Sequence, residues 1–321
     1  MINPLSKIKL LRSEEKKSEG QISLGLFFDD HFYPNVKATK RNTKDDWSVF
    51  NVHIRESLGR YKMNELTNEI LDEWVVGQQK KGYQRSTINK HIFLLNRMMN
   101  LARHWGYLET SQRISNLRKL SLGDYKQRFL DQEEISRLLV HAQRTRHPHI
   151  YNVIRLLILT GARKGEARMA RWCDIDRKKR VWTVPRSKNG RSRRIILSKV
   201  AMEVIEDCLS NAKRLGLPTD PRSFVFTNPR TGTAYDSFYA VWYIIRDAAE
   251  LYDVRIHDLR HTYASLLINK GVTLYEVQTL LGHSSIQMTQ RYAHLAPDRL
   301  HEMTEIVGDI VEGRNETRPS P

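Results

Sequence analysis

Six side chains in the second half of the chain have types and spacings suited to handling a phosphate. In TGARKGEARMA, Arg163 follows a glycine that reads as a helix end and opens the next helix, where unpaired backbone N–H groups favour anions. Its guanidinium can grip two phosphate oxygens together, and Glu166 stands three residues on to orient it. In RSKNGRS, Lys188 lies beside an Asn-Gly turn with Arg186 and Arg191 close by. A lysine whose pKa is lowered by neighbouring cations can protonate a leaving oxygen. In IHDLRHTYASLL, His257 and Arg260 stand at i, i+3 and can address one small target, while His261 and Thr262 are expected to turn away from it. A buried imidazole beside a guanidinium is costly unless an anion or an acid compensates. In LLGHSSIQMTQRYAH, His283 occupies a Gly-His-Ser-Ser turn, and Tyr292 follows on the helix which that turn introduces. Each stretch taken singly also has a plainer reading: a surface Arg–Glu pair, a solvated basic hairpin, a capping histidine. Tyr292 itself falls with Met288 and Leu295 at i, i+4, i+7, the spacing of an apolar helix face.

The elements that must position these residues are mostly helical. Residues 1–20 are polar and form a lead-in. Residues 21–109 carry helical periodicity throughout, with Thr67 as one N-cap and Gly82 as a stop, then Ser86 as the next cap and Gly106 as its stop. On that second helix Ile88, Ile92, Leu95 and Met99 form an apolar stripe. Periodicity fades over 110–127, which reads as a linker. A domain at 128–321 begins at a capping-box pair, Asp131 and Glu134, and continues with a buried helix ending at Gly161. VWTVP and RRIILS flank the Asn189-Gly190 turn as a hairpin, and WCDID supplies a third strand. Helices are expected over 198–214, 236–252, 257–270, 273–281 and 284–295, followed by an amphipathic segment, RLHEMTEIVGDIV, and a tail. The fold class is mainly α with a small antiparallel β-sheet, in two domains.

Composition narrows the partners. The net charge of +17 makes nucleic acid the leading partner, with a solubilising surface as the plainer alternative. No run of apolar residues is long enough for a transmembrane helix, and the N-terminal stretch lacks a secretory pattern. The two cysteines, Cys173 and Cys208, give neither a disulfide framework nor a metal site, which suits a cytoplasmic protein. No membrane partner is expected.

Taken together and in order, T-G-x-R-x-x-E at 160–166, Lys188 on a hairpin, H-x-x-R at 257–260, L-G-H at 281–283 and R-Y-x-H at 291–294 resemble the tyrosine recombinases, the phage integrase family. The resemblance covers about 130 to 300, and the helical region before it looks like that family's core-DNA-binding domain. It implies a C-shaped clamp on DNA and site-specific strand exchange through a 3′-phosphotyrosyl intermediate. By resemblance Tyr292 is the nucleophile, Arg163 and Arg260 hold the non-bridging oxygens, and Lys188 protonates the departing 5′ oxygen. His257 assists proton movement and His283 adds a hydrogen bond. A free phenol is a poor nucleophile at neutral pH and needs positive charge and a proton acceptor, which these residues supply. The expected partners are double-stranded DNA with specific crossover sites, three further copies of the chain in a homotetramer, and accessory bending or directionality proteins. No cofactor and no metal are expected, and no phosphate-binding G-x-x-x-x-G-K-[ST] loop occurs. With only about twenty residues before the first helix, a separate arm-binding domain is not expected.

Three other readings compete. A DNA-binding protein of this fold that has lost catalysis would be expected to lack some of the six residues. A type IB topoisomerase would share the chemistry but relax DNA as a monomer. A metal-dependent transposase would need a carboxylate triad, and none is evident.

Overall fold

The computed structural model describes residues 22–40, 43–108, 116–123, 128–185, 192–295, 304–305, 307 and 310–312. The chain divides into two compact units, Met1–Tyr125 and Lys126–Pro321.

The first unit is helical. Helix α1 runs through Leu24–Phe27, a wider π turn at Phe28–Phe32, and Tyr33–Thr39. Helix α2 repeats the device through Lys44–Val49, Phe50–Ile54 and Arg55–Leu58. Phe28 and Phe50, one from each π turn, stack face to face in the core. Helix α3, Asn68–Lys80, starts at Thr67, whose hydroxyl accepts the Ile70 N–H. Helix α4, Arg85–His104, buries the whole stripe Ile88, Ile92, Leu95 and Met99. Its cap is Gln84 rather than Ser86: the backbone is already extended at Gln84, so the helix starts two positions before Thr87. It closes where Gly106 takes a positive φ of 76° and the Tyr107 N–H reaches back to the Ala102 carbonyl.

Part of the expected linker is bound structure. The Asn96 amide both accepts the Leu117 N–H (2.9 Å) and donates to the Leu117 carbonyl (3.0 Å). Asn89 grips Leu120 in the same two-way manner at 2.8 and 2.9 Å. The spacing explains the match. Seven residues of helix rise ~10.5 Å, and three residues of extended chain span ~10 Å. Two amides thus act as rungs of a ladder, and Leu117 is buried between them and the core. Residues 109–115 and 124–127 lie outside the described residues.

The second unit packs its helices mainly on one another and carries a three-stranded sheet. Helix α5, Gln132–Arg144, opens on the Asp131–Glu134 capping box. Helix α6, Ile150–Thr160, ends at Gly161 in the left-handed region, φ 59°. Helix α7 is Lys164–Met169. Strands β1 (Ile175–Asp176), β2 (Val181–Val184) and β3 (Arg193–Ile196) pair antiparallel in that order, with Ile175 opposite Trp182 and Val184 opposite Arg193. Helices α8 (Lys199–Arg214), α9 (Tyr239–Ala248), α10 (Asp258–Asn269) and α11 (Leu274–Leu281) follow. The main core gathers Leu138, Ile154, Trp182, Ile205 and Trp242 from α5, α6, β2, α8 and α9. A smaller cluster joins Ala264, Ile268, Val277, Leu281 and Tyr292.

The final helix departs from expectation. In place of one helix over 284–295 there is a single turn, α12 (Gln287–Gln290), then a bend at Arg291 and Tyr292, then a 3₁₀ turn at Ala293–Leu295. Gly282 breaks the chain with φ 62°, Ser284 and Ser285 favour turns, and the Tyr292 N–H bonds the nearer Thr289 carbonyl. The supposed apolar face splits accordingly, with Met288 at 37% exposure and Tyr292 at 1%. Helix α9 is also shorter than 236–252 and stops where Glu250 takes a positive φ. The amphipathic segment 299–311 lies mostly outside the described residues. Among those residues no helix is long and apolar enough to cross a membrane.

Candidate active site

The site is built where α6 ends, α7 begins and α11 ends. Gly161 terminates α6, and the Arg260 Nη1 donates to its carbonyl at 2.6 Å. The Arg260 Nη2 donates to the Leu281 carbonyl at 2.7 Å, at the end of α11. Those two backbone oxygens hold the guanidinium at 4% exposure. A side chain at Gly161 would place its Cβ 2.5 Å from the Tyr263 ring and 2.8 Å from Leu281, on a backbone that L-residues avoid. Gly161→Ala is therefore expected to destabilise the second unit by more than ~1 kcal/mol, read as a lowered urea midpoint with an unchanged slope.

Arg163 is the N-cap residue of α7. The Glu166 carboxylate accepts its backbone N–H and its Nη1, both at 2.8 Å, as the motif spacing anticipates. Glu166 has a second cation that the spacing does not reveal. Arg193, the first residue of β3, donates Nε and Nη2 to the two Glu166 oxygens at 3.1 and 2.7 Å. It also donates Nη1 to the Leu281 carbonyl at 2.7 Å, so one backbone oxygen receives both Arg193 and Arg260. Burial pushes the Glu166 pKa up, but the bonds and charge of Arg193, then of Arg163, outweigh it and hold the carboxyl below its ordinary value. Burial, followed by the fields of Arg163 and Arg193, brings the Arg260 pKa down to about 9. Among the described residues Arg163 has no hydrogen-bond partner for Nη2 and Nε, and it borders a cavity of about 590 Å³ lined also by Lys164, Met169, Trp182 and His257.

The histidines separate into three roles. His257 caps α10 and faces the cavity; surrounding protein, then Arg260, lowers its pKa. His283 follows Gly282, and its Nδ1 lies 2.8 Å from the Thr289 hydroxyl. When Thr289 is the donor, His283 Nε2 carries the proton and can donate. Burial, then Arg260 and Arg163, pushes the His283 pKa down to about 3. His261 corrects the expectation that it turns away. Its Nδ1 is hydrogen-bonded to the Tyr292 hydroxyl, and its ring meets that of His257 edge-on at 5.3 Å. Positions 257 and 261 are one helical turn apart, H-x-x-x-H, and so share a face; the spacing carried the signal. That spacing also suits metal ligands, yet among the described residues no group of three His, Cys, Asp or Glu could hold an ion. Arg193 was legible too. It shares the inward face of β3 with Ile195, an unusual place for a cation.

The structure thus brings together Arg163, Arg260, His283 and Tyr292, with His257 at the rim. Lys188, with Arg186 and Arg191, lies outside the described residues. A family model described as the phage integrase family matches residues 128–299, more than half of the chain. The chain belongs to the phage integrase family. Among curated members it is 27% identical over 264 residues to the integrase of Escherichia phage 186, covering 79% of this chain and 72% of that protein. A solved member, the Tn1549 transposon integrase in complex with transposon right-end DNA, matches with a TM-score of 0.69 at 20% identity, over 86% of this chain and 98% of that one. The lambda integrase dimer bound to a COC′ core site matches with a TM-score of 0.67 at 18% identity, over 91% and 81%. These likenesses establish an integrase-family fold, mostly helical with one small antiparallel sheet.

Acid should unsettle this family member. His147, His261 and His283 in the second unit have pKa values lowered to about 4, 4 and 3, chiefly by burial. His147 is held neutral in part because its Nδ1 accepts the His149 and Ile150 N–H groups at the start of α6. An unfolded histidine binds its proton near pH 6.5, so between that pH and about 4 the unfolded chain holds more protons than the folded one. Stability is expected to be flat between about pH 7 and 8 and to fall by more than ~2 kcal/mol by pH 5, followed by urea unfolding at each pH.

Proposed function

We propose that the chain is a site-specific DNA recombinase that cuts and rejoins duplex DNA through a tyrosyl phosphodiester. The convergence of Arg163, Arg260 and His283 beside Tyr292 carries this reading. The two arginines are held by backbone oxygens and a carboxylate rather than by solvent. Groups fixed in advance at the place where charge develops are the largest source of rate in such a site.

In this reading the Tyr292 oxygen attacks the scissile phosphorus and its proton passes to the His257 imidazole. The bond to the 5′ oxygen breaks, and Lys188 protonates that oxygen to leave a 5′-hydroxyl. Arg163 and Arg260 balance the charge on the non-bridging oxygens. His257 moves protons at the rim, and His283 donates to the phosphate. The phosphotyrosyl link conserves the phosphodiester bond, so the reverse attack by a 5′-hydroxyl reseals DNA without ATP. The first unit serves as the core-DNA-binding domain, and four copies act on two crossover sites, aided by accessory proteins. The full set of six side chains favours this over a silent DNA-binding protein.

The test is a suicide substrate nicked so that the cut strand cannot be resealed. A covalent protein–DNA adduct is expected in excess EDTA, and its absence with every DNA tried would reject the reading. Binding should weaken steeply between 50 and 200 mM salt, by about 10³-fold or more, as phosphate contacts release counterions. Plasmid relaxation without recombinant product would favour the topoisomerase alternative.

A further inference from the structure

We propose that His261 is a positioning residue for the nucleophile: it holds the Tyr292 hydroxyl below the surface in the DNA-free chain, and the phenol must leave it before a phosphodiester can be attacked. The proposal rests on the recombinase reading for its second half only. Tyr292 is 1% exposed and His261 5% exposed, and the imidazole Nδ1 meets the phenol oxygen. A phosphate embedded in a duplex arrives from outside and cannot penetrate to a hydroxyl so covered.

The two partners differ in how firmly they are held. His261 sits within the first turns of α10, a twelve-residue helix anchored in the core through Leu259, Ala264 and Ile268. Leu130 ties the start of the unit to the same helix by donating its N–H to Thr262. Tyr292 instead lies between a single turn, α12, and a 3₁₀ turn. Its local backbone bonds are short-range, from the Tyr292 N–H to Thr289 and from the Leu295 N–H to Tyr292. Displacement of the Tyr292 segment away from a fixed imidazole opens two local turns and withdraws its ring from Ala264, Ile268, Val277 and Leu281, whereas movement of α10 would open the main core as well. His257, to which the resemblance gives the proton role, faces the cavity instead and meets the His261 ring only edge-on.

Nitration by tetranitromethane, which needs an accessible phenol, tests the first half without DNA. The tryptic peptide beginning at Tyr292 is compared by mass spectrometry with the peptide carrying Tyr275, which is 73% exposed. In the native chain Tyr292 should react far more slowly, and His261→Ala should narrow the gap. His261→Phe keeps a ring in the core and removes the acceptor, so it decides the matter where the alanine variant fails to fold. On the nicked substrate both variants should form adduct roughly three- to tenfold faster, the weight of one neutral hydrogen bond. Unchanged nitration in a folded variant would overturn the proposal. So would a loss of adduct of ~100-fold that added imidazole restores, since His261 would then be the proton acceptor during attack. If the native chain forms no adduct at all, the recombinase reading fails while nitration still judges His261.

Discussion

Tyr292→Phe is expected to abolish the covalent adduct on a nicked substrate while leaving DNA affinity within about threefold. The substitution removes one oxygen from a ring that is already buried against Ala264, Ile268, Val277 and Leu281, so packing survives. The hydrogen bond to His261 is lost, which costs about 1 kcal/mol and leaves the fold intact. Adduct formation by the phenylalanine variant would place the nucleophile on another residue. Its hydroxyl lies close enough to the arginine cluster for its charge to register at Arg260.

Arg260→Lys should be nearly as damaging, although it keeps the charge. The guanidinium reaches two carbonyls in different directions, Gly161 on one side and Leu281 on the other. A single ammonium cannot satisfy both while also facing a phosphate. One buried acceptor would be left unpaired at a cost of ~1–3 kcal/mol, and cleavage should fall by ~10²–10³. The check is a single-turnover adduct rate at saturating DNA beside a urea midpoint. A near-native rate would mean that charge alone, not its placement, serves the reaction.

How much of this was legible in the sequence depends on the length scale of each signal. Local signals held: the α4 stripe, the Asp131–Glu134 box, the glycine that ends α6 and the Arg163–Glu166 pair all depend on residues a few positions apart. The order of the six candidate side chains carried the family, because spacing along the chain survives where contacts cannot be seen. What failed was tertiary. The strand pattern marks Arg193 as an inward-facing cation, but not that Glu166, 27 residues earlier, and a carbonyl 88 residues later will share it. His261 stood at a spacing that placed it beside His257, yet its partner Tyr292 is 31 positions away. The ladder from Asn89 and Asn96 was invisible for a different reason: it uses side chains as if they were backbone, so no strand pattern marks it.

The Leu281 carbonyl that receives both Arg193 and Arg260 has a consequence for how this site can drift. A backbone oxygen belongs to every residue type, so position 281 can exchange one apolar side chain for another and still anchor both cations. Its neighbour has no such latitude: a Cβ at Gly282 would meet the Arg193 side chain at 2.9 Å, on a left-handed backbone. Two adjacent positions thus differ sharply in the substitutions they tolerate. The permissive one holds the charges, and the intolerant one turns the chain and keeps the space around them clear.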